Sequence, residues 1–252
     1  MVSLNRLAAP LAAALALPAL FGPVTSGAAP ICSARSGTVA PAVVELYTSE
    51  GCSSCPPADR WLSRLKAEPG VVALAFHVDY WDRLGWKDRF ASADYTQRQV
   101  QQQAVSGARF SYTPQVIVDG VDRPDWPRAS VAASARTSAV DVQLSRDGQR
   151  VTAVVAALKG APARLAAYWA VTEQNHVSAV KAGENDGVTL THDGVVREYR
   201  SVAAWAAAPD GPATTLQFDL TAAADPAHPR QVNLVIVDAA GGRPVQAAKL
   251  GC

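Results

Sequence analysis

Two cysteines separated by two serines, Cys52 and Cys55, form the motif with the clearest chemistry in this sequence. The motif follows a short apolar segment, residues 43–47, and precedes Pro56 and Pro57, which open a stretch with helical spacing of apolar residues. A cysteine at a helix N-terminus has a stabilised thiolate, because unpaired backbone N–H groups and the helix dipole face it. The spacing therefore predicts Cys52 as the attacking thiolate and Cys55 as the thiol that resolves a mixed disulfide.

Other chemistries use the same two thiols. A static disulfide is one alternative, because a sequence does not reveal exposure. A zinc site is not expected, since zinc usually takes four ligands and no second Cys-x-x-Cys or His-x₃-His accompanies this motif. A copper carrier is a further alternative, because soft thiolates select Cu(I) and His77 offers a third ligand. The only methionine is Met1, so the chain has no Met-rich copper surface.

Polar and aromatic residues close the second predicted strand, at the sheet end where parallel α/β sheets usually bind ligands. His77 and Asp79 alternate with Val78, so we expect both side chains on the same side of the strand. With Trp81 they are candidates for binding substrate or tuning the thiolate. The alternative is a hydrogen-bonded histidine beside an aromatic core.

The N-terminal segment predicts export. Residues 1–29 contain one charge, Arg6, followed by an apolar run interrupted by prolines and then by small residues, which is typical of a secretory signal peptide and not of a membrane span. Without Arg6, one of 23 Lys and Arg residues, the mature chain balances 22 basic against 22 acidic residues. We therefore expect a periplasmic or secreted protein with no membrane span in its mature form, and neither nucleic acid nor anionic lipid as a partner.

The remaining cysteines are Cys32 and Cys252, at opposite ends of the mature chain. An oxidising compartment favours disulfides, and the termini of compact domains often lie close together. A bridge between these two residues is one expectation, and two unpaired ends are the alternative.

The first part of the chain, residues 41–139, alternates strands and helices. Strands are predicted over 43–47, 71–78 and 116–118, and helices from Pro56, over 91–106 and over 127–139. The nearly continuous apolar strand 71–78 directly after a helix indicates a parallel βαβ unit.

Residues 140–252 have a different pattern. Segments 140–144 and 151–158 flank an Asp147-Gly148 turn and predict a hairpin. Further strands are predicted over 164–171, 177–181, 214–220 and 232–237, with a helical turn over 201–208. The pattern favours a mostly antiparallel β-sandwich-like C-terminal domain.

The order of strand, Cys-x-x-Cys-Pro, helix, strand, helix, Thr-Pro and strand resembles thioredoxin. The resemblance implies an α/β thioredoxin-like N-terminal domain, with Thr113-Pro114 as the cis-proline segment that shapes the substrate groove opposite the cysteines. Thioredoxin also has a buried acid before its first cysteine that helps to move protons. The resemblance offers Glu45 for that role with a raised pKa, although its spacing from Cys52 departs by one residue.

A closer resemblance is to the bacterial domain-of-unknown-function family numbered 1223. It rests on VELYTSEGCSSCPPAD (44–59), FHVDYWDRLGWKD (76–88), YTPQ (112–115), GENDGVTLTH (183–192) and VVRE (195–198). The likeness covers nearly all of the mature chain and implies a secreted protein with a thioredoxin-like domain, without a settled biochemical role.

The function expected from these observations is thiol:disulfide exchange through Cys52 and Cys55, with Pro114 and Glu45 assisting and Thr113, His77, Asp79 and Trp81 contacting the substrate. Protein or small-molecule thiols and disulfides are the expected partners, and no cofactor is required. Copper binding or a non-catalytic binding module is the alternative.

Overall fold

A computed structural model describes Met1 and residues 32–129, 131, 136–209 and 211–252. Except for Met1, the predicted signal peptide lies outside these residues. Across the described ranges, none of the helices has the length and apolar character needed to cross a bilayer.

The described chain is built mainly from strands. They are β1 (Cys32–Arg35), β2 (Ala42–Thr48), β3 (Val71–His77), β4 (Gln115–Val118), β5 (Val121–Asp122), β6 (Val140–Asp147), β7 (Arg150–Ala157), β8 (Arg164–Glu173), β9 (His176–Ala179), β10 (Thr189–His192), β11 (Val195–Ala206), β12 (Thr214–Asp219), β13 (Arg230–Asp238) and β14 (Pro244–Leu250). Two α-helices are described, α1 (Pro56–Leu65) and α2 (Ala93–Ser106), with short 3₁₀ turns at Asp82–Leu84 and Trp126–Arg128.

One mixed sheet of eight strands joins the two halves of the chain. Its order is β14-β13-β8-β11-β3-β2-β4-β5, with β2 and β3 parallel. The seam is the parallel pairing of Val195 in β11 with Ala75 in β3, where the Ala75 amide donates to the Gly194 carbonyl at 2.7 Å. Gly194 has a φ of +65°, and a Cβ there would lie 2.9 Å from the Ala73 carbonyl oxygen, so the seam requires glycine.

This sheet shows that the predicted fold class is wrong. An α/β thioredoxin-like N-terminal domain followed by a β-sandwich-like domain is not what the chain forms, because its structure is mostly large multi-strand sheets. The edge of β3 that would otherwise expose unpaired backbone groups is covered by β11 from the C-terminal half. One core cluster accordingly combines Tyr47 and Phe76 with Tyr168 and Val235.

A second sheet, β1-β6-β7-β12, is antiparallel and contributes to another core cluster. Val142 and Leu144 of β6 pack there with Trp169 of β8 and Leu234 of β13. The first strand of the described chain thus lies with the C-terminal strands. Cys32 in β1 forms a disulfide with Cys252, with their Cα atoms 6.1 Å apart.

The helices belong to different core clusters on the two faces of β2 and β3. Helix α1 starts with two prolines and buries Trp61 and Leu62 in the cluster that contains Val44 and Leu46. Helix α2 begins at an N-cap, Ser92, whose hydroxyl accepts from the Asp94 amide at 3.2 Å. Its Tyr95 joins the cluster on the other face. One face of β2 therefore packs against α1 and the other packs against α2.

Two helix predictions differ from the structure. Residues 201–208, expected as a helical turn, extend β11 as far as Ala206, because this alanine-rich segment pairs with β8. Within 127–139 the structure has a 3₁₀ turn ending at Arg128 and a bridge between Val39 and Thr137, and residues 130 and 132–135 lie outside the described ranges.

Candidate functional site

The cysteine motif lies between β2 and α1, as its spacing predicts. Cys52 and Cys55 form a disulfide with Cα atoms 5.4 Å apart, and Cys55 is the N-cap of α1. Both residues are 0% exposed, whereas Ser53 and Ser54 between them are exposed. The motif therefore lies at the surface while its sulfur atoms are covered. Gly51 allows this close packing, because a Cβ there would lie 3.1 Å from Cβ of Trp81.

Thr113 is in direct contact with the first cysteine. Its hydroxyl donates to Cys52 Sγ at 3.3 Å and accepts from the indole N–H of Trp81 at 2.8 Å. The Thr113–Pro114 peptide bond is cis. Ser54 adds a second hydroxyl 3.4 Å from the same sulfur. The structure thus brings Thr113 to Cys52, with Trp81 bonded to the Thr113 hydroxyl and Pro114 following it through a cis bond, and places two hydroxyls where they can stabilise a thiolate on Cys52.

The cysteine loop is also held by a segment from the C-terminal half, Gly183–Asp186, which we call the acidic loop. Glu184 Oε2 accepts from the Ser53 amide at 3.0 Å and from its hydroxyl at 2.8 Å. The buried Asn185 Nδ2 donates to the carbonyls of Glu50 and Cys52 at 2.9 and 3.0 Å. These contacts join residues more than 130 positions apart and hold the backbone on both sides of Cys52.

His77 is buried, and its Nδ1 lies 2.7 Å from Asp88 Oδ2. Burial lowers the pKa of His77, but the carboxylates of Asp88, Asp59 and Glu50 together outweigh burial and hold that pKa above its ordinary value. Burial alone raises the pKa of Asp88, whereas His77 and backbone donors bring it to about 2. Asp88 also accepts from the Glu50 amide at 2.9 Å, so His77 is connected to the loop that leads into the cysteine motif.

A buried polar cluster extends from this pair. His192 of β10 places Nε2 3.4 Å from Glu50 Oε1 and Nδ1 4.0 Å from Asp59 Oδ2. Asp59 lies one helical turn after Cys55, and its amide donates to the Cys55 carbonyl at 3.2 Å. Burial raises the pKa of Asp59, and His192 and His77 offset only part of that effect. The His192 contacts are not hydrogen bonds, so among the described residues both ring nitrogens of His192 and Glu50 Oε1 are buried without a hydrogen-bond partner.

Glu45 has surroundings unlike those expected. Its carboxylate lies on the α2 face of β2, where it accepts from Arg98 at 2.7 Å and from the hydroxyls of Tyr47 and Tyr168 at 2.6 Å each. Burial raises its pKa, but Arg98 and the two hydroxyls outweigh burial, so the pKa of Glu45 lies below its ordinary value. The expected raised pKa is wrong. A buried carboxyl whose pKa is raised is that of Asp59, one helical turn after Cys55.

Asp79 points to α2. Its Oδ1 accepts from the Thr96 hydroxyl at 2.6 Å, and the Asp79 amide donates to the oxygen of that Thr96 hydroxyl. Asp79 and His77 thus take different partners, although His77 ends β3 and Asp79 follows it by only two residues. In the described part of the chain, no group of three or more His, Cys, Asp and Glu side chains is arranged to hold a metal ion.

Six contributors to the site were not selected from the sequence: Glu50, Asp59, Asp88, Glu184, Asn185 and His192. Asp59 offered one signal, because it follows Cys55 by one helical turn and so shares its face. The acidic loop had the appearance of an ordinary charged turn, since its approach to the cysteines depends on long-range strand pairing.

Comparisons with known proteins found a family model and solved structures that are similar to this chain. The family model described as "Protein of unknown function (DUF1223)" matches residues 43–238. A crystal structure of an Agrobacterium tumefaciens protein is 28% identical with a TM-score of 0.62, over 85% of this chain and 96% of that one. HBP35 of Porphyromonas gingivalis is similar in fold alone, at 17% identity and a TM-score of 0.59, over 86% of this chain and 76% of that one. A search among curated proteins gave no match.

Proposed function

The chain belongs to the DUF1223 family, whose function is unknown, and from the geometry of its cysteine site we propose that it is a thiol–disulfide exchange protein acting through Cys52 and Cys55. The observation that carries this proposal is the hydroxyl of Thr113 directed at Cys52 Sγ in a motif at the N-terminus of α1. A disulfide with only a structural role gains little from a donor on one sulfur, whereas a thiolate gains a charge-assisted hydrogen bond.

The exchange balances without a cofactor. A partner thiolate attacks Cys52 Sγ, the bond to Cys55 breaks, and its electron pair leaves on the Cys55 sulfur, which takes up a proton. A second partner thiolate then attacks the partner's sulfur in the mixed disulfide and releases Cys52 as a thiolate. The partner loses two electrons and the site gains them. The reverse sequence reduces a partner disulfide.

Asp59 supports the proton step. In the reducing direction, the Cys55 thiol must lose a proton before it attacks the mixed disulfide. Asp59 follows Cys55 by one helical turn and shares its face of α1, so we propose its carboxylate as the acceptor of that proton.

The covered sulfur atoms have a kinetic consequence. Since Cys52 is 0% exposed, a partner reaches it only after neighbouring groups move. We therefore expect exchange to be slower than at an exposed disulfide. We also propose an exported, periplasmic or secreted location, which the two disulfides and the apolar N-terminal sequence support.

The test is exchange with glutathione, followed by peptide mapping that separates Cys52–Cys55 from Cys32–Cys252. Cys55→Ser is expected to form a mixed disulfide at Cys52, and the matched Cys52→Ser variant is expected to form far less at Cys55. A Cys52–Cys55 bond that stays closed across glutathione ratios in the folded protein, with no adduct in Cys55→Ser, would show a static disulfide and end the proposal.

A further inference from the structure

The acidic loop takes no direct part in the proposed exchange, yet it affects which backbone N–H groups remain available near Cys52. Among the residues after Cys52, Pro56 and Pro57 have no amide N–H, and the Cys55 amide donates to the Cys52 carbonyl at 3.2 Å. The Ser53 amide donates to Glu184 Oε2 at 3.0 Å. Helix N-termini usually stabilise a thiolate through such free N–H groups. Here several of them are missing or already engaged.

Glu184 also brings a negative charge to the site. Its Oε2 is 2.8 Å from the Ser53 hydroxyl, in the residue next to Cys52. The side chain is exposed, and donation from the Ser53 amide and hydroxyl lowers the pKa of Glu184, so it is ionised at neutral pH. A carboxylate bound to the residue next to Cys52 disfavours a second negative charge on the Cys52 sulfur.

The stability of the thiolate affects the reduction potential of the pair, because only the reduced form of the pair has a thiolate. A group that destabilises the thiolate shifts the equilibrium towards the disulfide and makes the dithiol a stronger reductant. We propose that Glu184 is a positioning residue that, through Ser53, lowers the reduction potential of the Cys52–Cys55 pair and so makes its dithiol form a stronger reductant. This inference rests on the proposed exchange function.

Asn185 keeps this arrangement in place. Its buried side chain holds the carbonyls of Glu50 and Cys52, so the carboxylate of the preceding residue stays next to Ser53. The tuning group thus comes from the C-terminal half of the chain, while the cysteines come from the N-terminal half.

The experiment compares Glu184→Gln with Asp186→Asn in the full-length protein. Glutamine keeps an oxygen that accepts from Ser53 and removes only the charge. Asp186 is an exposed acid of the same loop, and its replacement changes the net charge equally. We measure the equilibrium of each variant with glutathione and the pKa of the Cys52 thiol from thiolate absorbance.

Glu184→Gln is expected to shift the equilibrium towards the dithiol by about three- to tenfold, or about 15–30 mV, and to lower the thiol pKa. Asp186→Asn is expected to change it less than about twofold. High salt should reduce the Glu184→Gln effect, because the carboxylate is exposed.

A Glu184→Gln shift no larger than that of Asp186→Asn, or a shift towards the disulfide, overturns the inference while leaving exchange intact. A wild-type pair that never exchanges overturns both proposals. Matching unfolding midpoints for the two variants will confirm that the comparison reports on the site.

Discussion

The hydroxyl of Thr113 donates to Cys52 Sγ across 3.3 Å, although 61 residues separate the two in sequence. The indole N–H of Trp81 donates to the same hydroxyl, which leaves the hydroxyl proton free for the sulfur. Because a hydrogen bond to a charged group is stronger than one to a neutral group, this contact favours the reduced, ionised form of Cys52.

Replacement of Thr113 by valine tests this contact. Valine keeps the shape and removes the donor. A hydrogen bond to a charged group contributes about 1.5–3 kcal/mol and one pKa unit corresponds to about 1.4 kcal/mol, so we expect the pKa of the Cys52 thiol to rise by about one to two units. Thiolate absorbance of the reduced protein against pH measures the change. Thr113→Ser is the matched control and should keep most of the effect. Identical titrations for the valine variant and wild type would remove Thr113 from the chemistry.

Asp59→Asn tests the proton step. In the wild type we expect the rate at which Cys55 resolves a mixed disulfide to increase with pH as Asp59 ionises, because only the carboxylate accepts a proton. In Asp59→Asn this increase with pH should be absent, and at pH values where Asp59 is ionised in the wild type the variant should resolve the mixed disulfide about 100-fold more slowly. Stopped-flow release of a chromogenic thiol from Cys52 gives the rate. Glu45→Gln serves as the control with an unchanged profile.

Asp59→Asn is expected to lose exchange rate but to gain folding stability at alkaline pH. Burial raises the pKa of Asp59 in the folded state, so the native protein holds this proton more tightly than the unfolded chain. Stability is therefore lost as pH rises through the folded pKa. We expect Asp59→Asn to be more stable than wild type at pH 8, with the difference disappearing in acid. Urea unfolding at both pH values measures it, and a variant less stable at pH 8 would contradict the burial argument.

The sequence was sufficient to locate the elements around the cysteines. Continuous apolar segments bounded by proline and glycine marked β2 and β3, and Gly107, with a φ of +78°, ends α2 where expected. Local signals of this kind depend on neighbouring residues alone.

The pairing of distant strands could not be predicted in the same way. Periodicity does not reveal which edge a strand joins, so β11 beside β3 had no local signal. The alanines in 201–208 favour a helix by intrinsic propensity, but tertiary pairing with β8 prevails. The same long-range pairing brings His192 and the acidic loop to the cysteines, which is why sequence reasoning recognised the motif and missed half of its surroundings.

Glu45→Gln is expected to destabilise the fold without changing the redox potential. The substitution leaves Arg98 buried without its counter-charge, and loss of one member of a buried pair costs about 3 kcal/mol. Since the pKa of Glu45 is lowered in the folded state, its contribution is present above the ordinary glutamate pKa and is lost as pH falls. Urea unfolding at pH 7 and in acid, with a glutathione titration alongside, measures both effects. A changed potential would instead connect Glu45 to the cysteines.

The disulfide between Cys32 and Cys252 is expected to stabilise the fold and not to take part in exchange. It joins residues 220 positions apart, and in the chain-entropy model a loop of that length stabilises by up to about 5 kcal/mol. A Cys32→Ser and Cys252→Ser double variant should therefore unfold at lower denaturant concentration, with unchanged glutathione equilibrium at Cys52–Cys55. The bond ties β1 to the chain end after β14, whereas Cys52 lies beyond β2, so the two effects are separable. An unaltered midpoint would show that strand pairing alone holds the two ends, and an altered Cys52–Cys55 equilibrium would show that the disulfides exchange with each other.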